Sequence, residues 1–214
     1  VSMFNSAPGA TNLANLQAWA DANPDATTTD LGAALGALPE FTALYADMTN
    51  EESATAMLAN FGLAADTTGG DAAYAFFLQE LDAGTDAAAI LQTANDFLLD
   101  SDADTLATFE LTDAATVLTN KTTAAEYYSV TQGLEAGTVA ELQAIVSAVD
   151  ATDASVTTAN AASDTAKAAV DAETALEATY AAAVVAYDAA VVTAAASKAL
   201  ADTLARHCPL FGFS

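Results

Sequence analysis

Asp100, Asp102 and Asp104 alternate along the segment Asp-Ser-Asp-Ala-Asp, and Glu110 is the next acid in the chain. Alternate carboxylates can converge on a cation that takes about six to eight oxygen ligands, so these four residues form a candidate calcium set. The pattern departs from a calcium loop at two places. Thr105 stands where the sharp turn requires glycine, and Glu110 arrives one position early. The competing reading is a helix cap within a solvated acidic turn.

His207-Cys208-Pro209 pairs two metal-ligating residue types, but the chain has no other His or Cys to complete a ligand set. The alternative is a helix end, with Arg206 and His207 complementing the C-terminal dipole and Pro209 preventing continuation. Asn120-Lys-Thr122 matches a glycan-acceptor triplet, poorly presented in the helix expected there. No Ser-His-Asp arrangement, paired carboxylates in an apolar setting or phosphate-cradling glycine loop is legible, so no enzymatic activity is expected. No bound cofactor is expected either, calcium being the one candidate. Trp19, Tyr45, Tyr127 and Tyr128 are the aromatic groups available to bind a neutral glycan.

The 214 residues carry 29 acidic and 4 basic side chains, a formal charge of −25. Phosphate binding needs clustered Lys and Arg, so nucleic acid is excluded as a partner. An anionic membrane surface is disfavoured for the same reason, leaving cations, basic proteins, neutral glycans and other copies of the chain. Self-repulsion on this scale is relieved by salt or bound cations, which favours a calcium-rich exterior. A single cysteine precludes an internal disulfide. No basic segment followed by an apolar run opens the chain, so no ordinary export signal is expected. The Ala/Val stretch from Tyr180 to Ala196 contains Asp188 and reads as too weakly apolar for a membrane span.

Hydrophobic residues make up 53% of the chain, much of it alanine, enough for a core if the larger side chains share faces. Leu13, Leu16 and Trp19 define a helix stopped near Pro24. Leu31, Leu35 and Leu38 define a second, and Pro39 opens a third carrying Phe41, Leu44 and Tyr45. Thr49 followed by Glu52 reads as a helix start, with Met57, Leu58 and Phe61 on its face and Gly62 as the stop. Further helices are expected over 71–83, 85–99, 112–132 and 138–149. No period-two run supports a strand, so the class is all-α.

From Asp153 to His207 there is neither Gly nor Pro, and the composition shifts to Ala, Thr, Asp and Val. Leu176, Tyr180, Val184, Tyr187 and Val191 recur at threes and fours, with Glu173 interrupting the stripe that precedes them. The sequence therefore predicts a compact helical domain over 1–150 and an Ala-rich helical extension over 151–214, either one long helix or a hairpin. Leu210, Phe211 and Phe213 form a short apolar tail. Together with Val184, Tyr187 and Val191 they are the candidate assembly residues.

Two segments resemble each other as helix, tight turn, helix: Asn15 to Phe41 and Phe77 to Phe97, each with Leu-Gln before a turn containing Asp. This pattern, with Phe4-Asn-Ser-Ala-Pro-Gly-Ala-Thr-Asn-Leu13 before it, resembles the N-terminal helical domain of secreted bacterial surface-layer and repeats-in-toxin type proteins. Leu118-Thr-Asn-Lys-Thr-Thr-Ala-Ala-Glu-Tyr-Tyr-Ser-Val-Thr131 and the stretch from Leu142 to Val170 are similar to those proteins as well. The resemblance implies a surface-exposed protein, exported without a cleaved leader, that anchors to polysaccharide or joins a lattice. The glycine- and aspartate-rich calcium repeats of such proteins are absent from this chain.

The expected function is that of a structural cell-surface protein which assembles with itself into an extracellular lattice or filament. The alternative is a monomeric module that anchors to cell-surface polysaccharide. An intracellular helical scaffold is the remaining rival.

Overall fold

The computed structural model describes residues 1–207; Leu210, Phe211 and Phe213 of the expected apolar tail, and Cys208, lie outside them. The fold is all-α. Among the described residues there are ten α-helices and one π-helical turn, and no strand. The chain divides into two units, Val1–Ala166 and Lys167–Ser214.

The first unit begins with α1 (Ala10–Ala22), α2 (Thr28–Gly36) and α3 (Pro39–Tyr45). It continues through α4 (Asn50–Asn60), α5 (Thr68–Asp82), α6 (Ala87–Asp100) and α7 (Ala103–Thr108). It then runs through α8 (Thr112–Glu126), the π-helical turn Tyr127–Thr131, α9 (Val139–Val146) and the first turns of α10 (Asp153–His207). Of the two segments that resemble each other in sequence, Phe77 to Phe97 is a helix–turn–helix of α5 and α6, whereas Asn15 to Phe41 spans α1, α2 and the start of α3.

Local chemistry sets most of these boundaries. The Thr49 hydroxyl accepts from the Glu52 amide at 3.3 Å while the Glu52 carboxylate accepts from the Thr49 amide at 2.8 Å, so two donors at the start of α4 are satisfied reciprocally. Thr27 and Asp30 make the same reciprocal pair at α2. Pro39 sits in the first turn of α3, where its missing N–H costs nothing. Gly62 and Gly84, at φ +68° and +81°, end α4 and α5 in the left-handed conformation that favours glycine.

One element was not anticipated. Residues 103–108, read in sequence as part of an acidic loop or its cap, form α7, a short helix with Leu106 buried.

The core of this unit has two parts. In the larger, α4 packs on α5 and α2 on α6, burying Met57, Leu58, Phe61, Phe77, Ile90 and Leu91. A Cβ on Gly36 would stand 2.4 Å from that of Ala88, so the α2–α6 approach needs a residue without one. The smaller part gathers Ala7, Ala125, Tyr128, Leu134, Leu142 and Val146 around α8 and α9.

The segment expected to be one helix or a hairpin is one helix. The 55 residues of α10 span about 80 Å at ~1.5 Å per residue. Its first turns belong to the Val1–Ala166 unit, where Asp164 accepts from the Tyr127 hydroxyl and from Gln132 Nε2, each at 2.7 Å. Taken by itself and among the described residues, the second unit is a helix from Lys167 through His207 with no core of its own. By length and composition α10 could cross a membrane: an 18-residue window reaches mean hydropathy 1.4.

Candidate functional site

Three phenylalanines from different elements stand partly exposed around one apolar groove. Phe76 lies on α5, Phe97 on α6, and Phe109 follows α7. Their exposures of 36–48% set them apart from Phe61 and Phe77, which are buried beneath them. Phe97 and Phe109 meet edge to face with centroids 6.1 Å apart, and Phe77 links Phe76 at 5.7 Å to Phe61 at 6.2 Å. The groove between these aromatics has a volume of about 330 Å³, and Leu63, Leu98 and Leu111 complete its apolar floor.

Backbone detail places Phe109 there. Glu110 adopts φ +55°, turning the chain sharply between α7 and α8. The turn lies against the start of α5: a Cβ on Gly69 would fall 2.7 Å from the carbonyl oxygens of both Phe109 and Glu110. Gly70 is tighter still, its Cβ position lying 1.7 Å from the Ala64 carbonyl oxygen. Gly69 thus admits the 109–110 turn at the groove edge, and Gly70 admits the Ala64 backbone beside it.

The second surface is the stripe on α10. Leu176, Tyr180, Val184, Tyr187 and Val191 fall within an arc of about 80° at ~100° per residue, and their exposures run from 39 to 72%. Lys198 continues along the same arc, about two turns beyond Val191.

Charge separates the two units. Val1–Ala166 holds 24 acidic residues and one base, Lys121, for a net of −23; residues 167–207 hold five acids and three bases, Lys167, Lys198 and Arg206, for a net of −2. The one base of the first unit is also withdrawn from the surface: Lys121 is 3% exposed. Its ammonium donates to Asn5 Oδ1 at 2.7 Å and to the Asn60 and Ala59 carbonyls at 2.9 and 3.4 Å, satisfying the last carbonyls of α4. Burial lowers its pKa from 10.5 to about 8.

One member of the acidic set expected to bind calcium, Asp102, takes the helix-cap role weighed against it. Asp102 is the N-cap of α7, accepting from the Thr105 amide at 2.8 Å, and that bond holds its carboxyl below the usual range. Glu110 lies beyond α7, in the left-handed turn. Among the described residues no group of three or more His, Cys, Asp or Glu side chains is gathered in metal-holding geometry.

The four aromatic residues considered for glycan binding have separate roles. Tyr45 packs on Phe41 with centroids 5.4 Å apart, and burial raises its pKa. Tyr128 belongs to the smaller core and donates to the Glu135 carbonyl at 2.7 Å. Tyr127 is bonded to Asp164, which raises its pKa, and Trp19 is half-buried on α1. The first two thus lie in different parts of the core.

Sequence reasoning identified the α10 stripe from its periodicity but missed the groove. Phe76, Phe97 and Phe109 have no common period, and only the packing of α5, α6 and α7 brings them together. No protein-family model, curated protein or solved structure matches this chain.

Proposed function

We propose that this is a structural protein that works by assembling with copies of itself, using the apolar stripe of α10, and that it does so at the cell exterior. The observation that carries this reading is the exposure of Leu176, Tyr180, Val184, Tyr187 and Val191 on one helical arc. Covering half the surface of each such side chain contributes roughly 1 kcal/mol. A single helix cannot bury its own stripe, so the gain is available only through another surface. The charge distribution agrees: a −23 unit repels its copies, whereas the α10 segment beyond it is nearly balanced. The acidic surface also suits an exterior rich in salt and divalent cations.

The test compares wild type with a Tyr180→Asp/Tyr187→Asp variant by high-speed pelleting and negative-stain microscopy. Ordered polymers in wild type and dispersed particles in the variant support the reading. Dispersed particles in both contradict it.

A second reading is favoured by the 18-residue window of mean hydropathy 1.4, namely that α10 crosses a bilayer and its stripe faces lipid. Reconstitution with neutral phosphatidylcholine vesicles separates the two. A span floats with the vesicles and resists carbonate extraction, and an assembling soluble helix does neither.

A further inference from the structure

The phenylalanine-rimmed groove and the α10 stripe are both apolar, both uncovered and chemically unlike each other. The groove is a concave site on the strongly acidic unit. The stripe is a convex ridge, bearing two tyrosines and a lysine, on the nearly balanced segment. We infer that the groove bounded by Phe76, Phe97 and Phe109 is the acceptor for the α10 stripe of a second copy of this chain. This rests on the self-assembly reading above and specifies its geometry.

Size supports the match. A cavity of about 150 Å³ lined by apolar side chains accepts one benzene ring, so the 330 Å³ groove has room for about two aromatic rings. Tyr180 and Tyr187 supply two rings on one arc, about 10 Å apart at ~1.5 Å per residue. Aromatic anchors seated among aromatic walls, with Leu176 and Val184 beside them, form a helix-in-groove contact read at three- and four-residue spacing.

Charge supports it as well. Acids flank the groove residues in sequence: Asp96 and Asp100 on either side of Phe97, and Glu110 after Phe109. The first unit has no exposed lysine or arginine with which to meet a partner's acids. The partner's stripe brings Lys198 on its own arc, where it pairs with Asp202 at 2.7 Å, and Arg206 two turns further along, so the charge match lies in the near-neutral docking segment and not in a free lysine. Direct pairing of two stripes would set tyrosines against tyrosines and leave the groove open.

Because donor and acceptor are different surfaces of one chain, the contact is heterologous. It propagates head to tail until a ring closes or a filament grows.

The experiment uses three full-length proteins: wild type, a groove variant Phe97→Ser/Phe109→Ser and the stripe variant Tyr180→Asp/Tyr187→Asp. Their masses are followed by light scattering across concentration. All four substituted residues are exposed, and circular dichroism with thermal melts checks that each variant folds. Phe76→Ser serves as an independent groove variant if the double substitution lowers the melting temperature. Each variant alone is expected to associate at least ~10-fold more weakly than wild type. An equimolar mixture recovers one intact groove and one intact stripe per pair, so it forms dimers that do not grow. Lys198→Glu is expected to weaken wild-type assembly in the same direction.

Groove variants that polymerise like wild type, while the stripe variant does not, overturn the groove assignment and leave self-assembly through paired stripes standing. A mixture that stays monomeric also overturns it. A wild type that is monomeric at every concentration overturns the self-assembly reading itself.

Discussion

The Lys121 ammonium lies 2.7 Å from Oδ1 of Asn5, joining residues 116 positions apart, and its other partners are backbone carbonyls of α4. In a chain with 29 carboxylates, the one base of the first unit is held by neutral oxygens. From the middle of α8, Lys121 ties the N-terminal segment to the end of α4. Replacing it with methionine keeps much of the stem but leaves the Asn60 carbonyl without its donor, while the Ala59 carbonyl keeps the Gly62 amide at 3.2 Å. That substitution should lower unfolding free energy by about 1–3 kcal/mol, read by urea denaturation.

Lys121 also predicts a pH dependence. Its folded pKa is lowered to about 8 from 10.5, so between these values the unfolded chain binds more protons than the folded one. The penalty for burying the charge is complete below pH 8 and is relieved as pH rises from about 8 toward 10.5, so this residue makes the fold more stable with rising pH in that window. The Lys121→Met variant should lose that component. The difference between the two proteins' stability curves from pH 7 to 9.5 isolates it, and a flat difference would contradict the assignment.

Gly70 is predicted to be the least replaceable glycine near the groove. A Cβ there falls 1.7 Å from the Ala64 carbonyl oxygen, which backbone movement alone can relieve. Gly70→Ala should cost roughly 2–4 kcal/mol, at or above the usual range for overpacking. Gly84→Ala meets no neighbour within 4 Å and bears only the strain of φ +81°, about 1 kcal/mol. Thermal melts of the two variants should rank them in that order.

Asp102 is predicted to act as a cap and not as a cation ligand. Asparagine caps as well as aspartate does, so Asp102→Asn should melt close to wild type while Asp102→Ala melts lower. A melting-temperature rise on adding calcium that disappears in both variants would assign Asp102 to a cation site instead.

Much of the fold was legible because it is written in local chemistry. Thr49 with Glu52, Pro39, Gly62 and Gly84 each mark a boundary through a hydrogen bond or a backbone conformation that belongs to a few residues. The run from Asp153 to His207, free of Gly and Pro, coincides with α10 because nothing in it interrupts a helix. Helix α7 escaped notice because six residues with one buried leucine carry no periodicity. The burial of Lys121 and the convergence of Phe76, Phe97 and Phe109 depend on which helices pack together, which the spacing within any one helix does not encode. The aromatic set Trp19, Tyr45, Tyr127 and Tyr128 was chosen by residue type, and packing assigns Tyr45 and Tyr128 to separate parts of the core.

The most direct measurement is sedimentation equilibrium of the unmodified chain over a wide concentration range, with the Tyr180→Asp/Tyr187→Asp variant alongside. The predicted result is a wild-type mass that exceeds 21.5 kDa and climbs with concentration, while the variant stays at the monomer value. A wild-type mass of 21.5 kDa at every concentration would contradict assembly through α10.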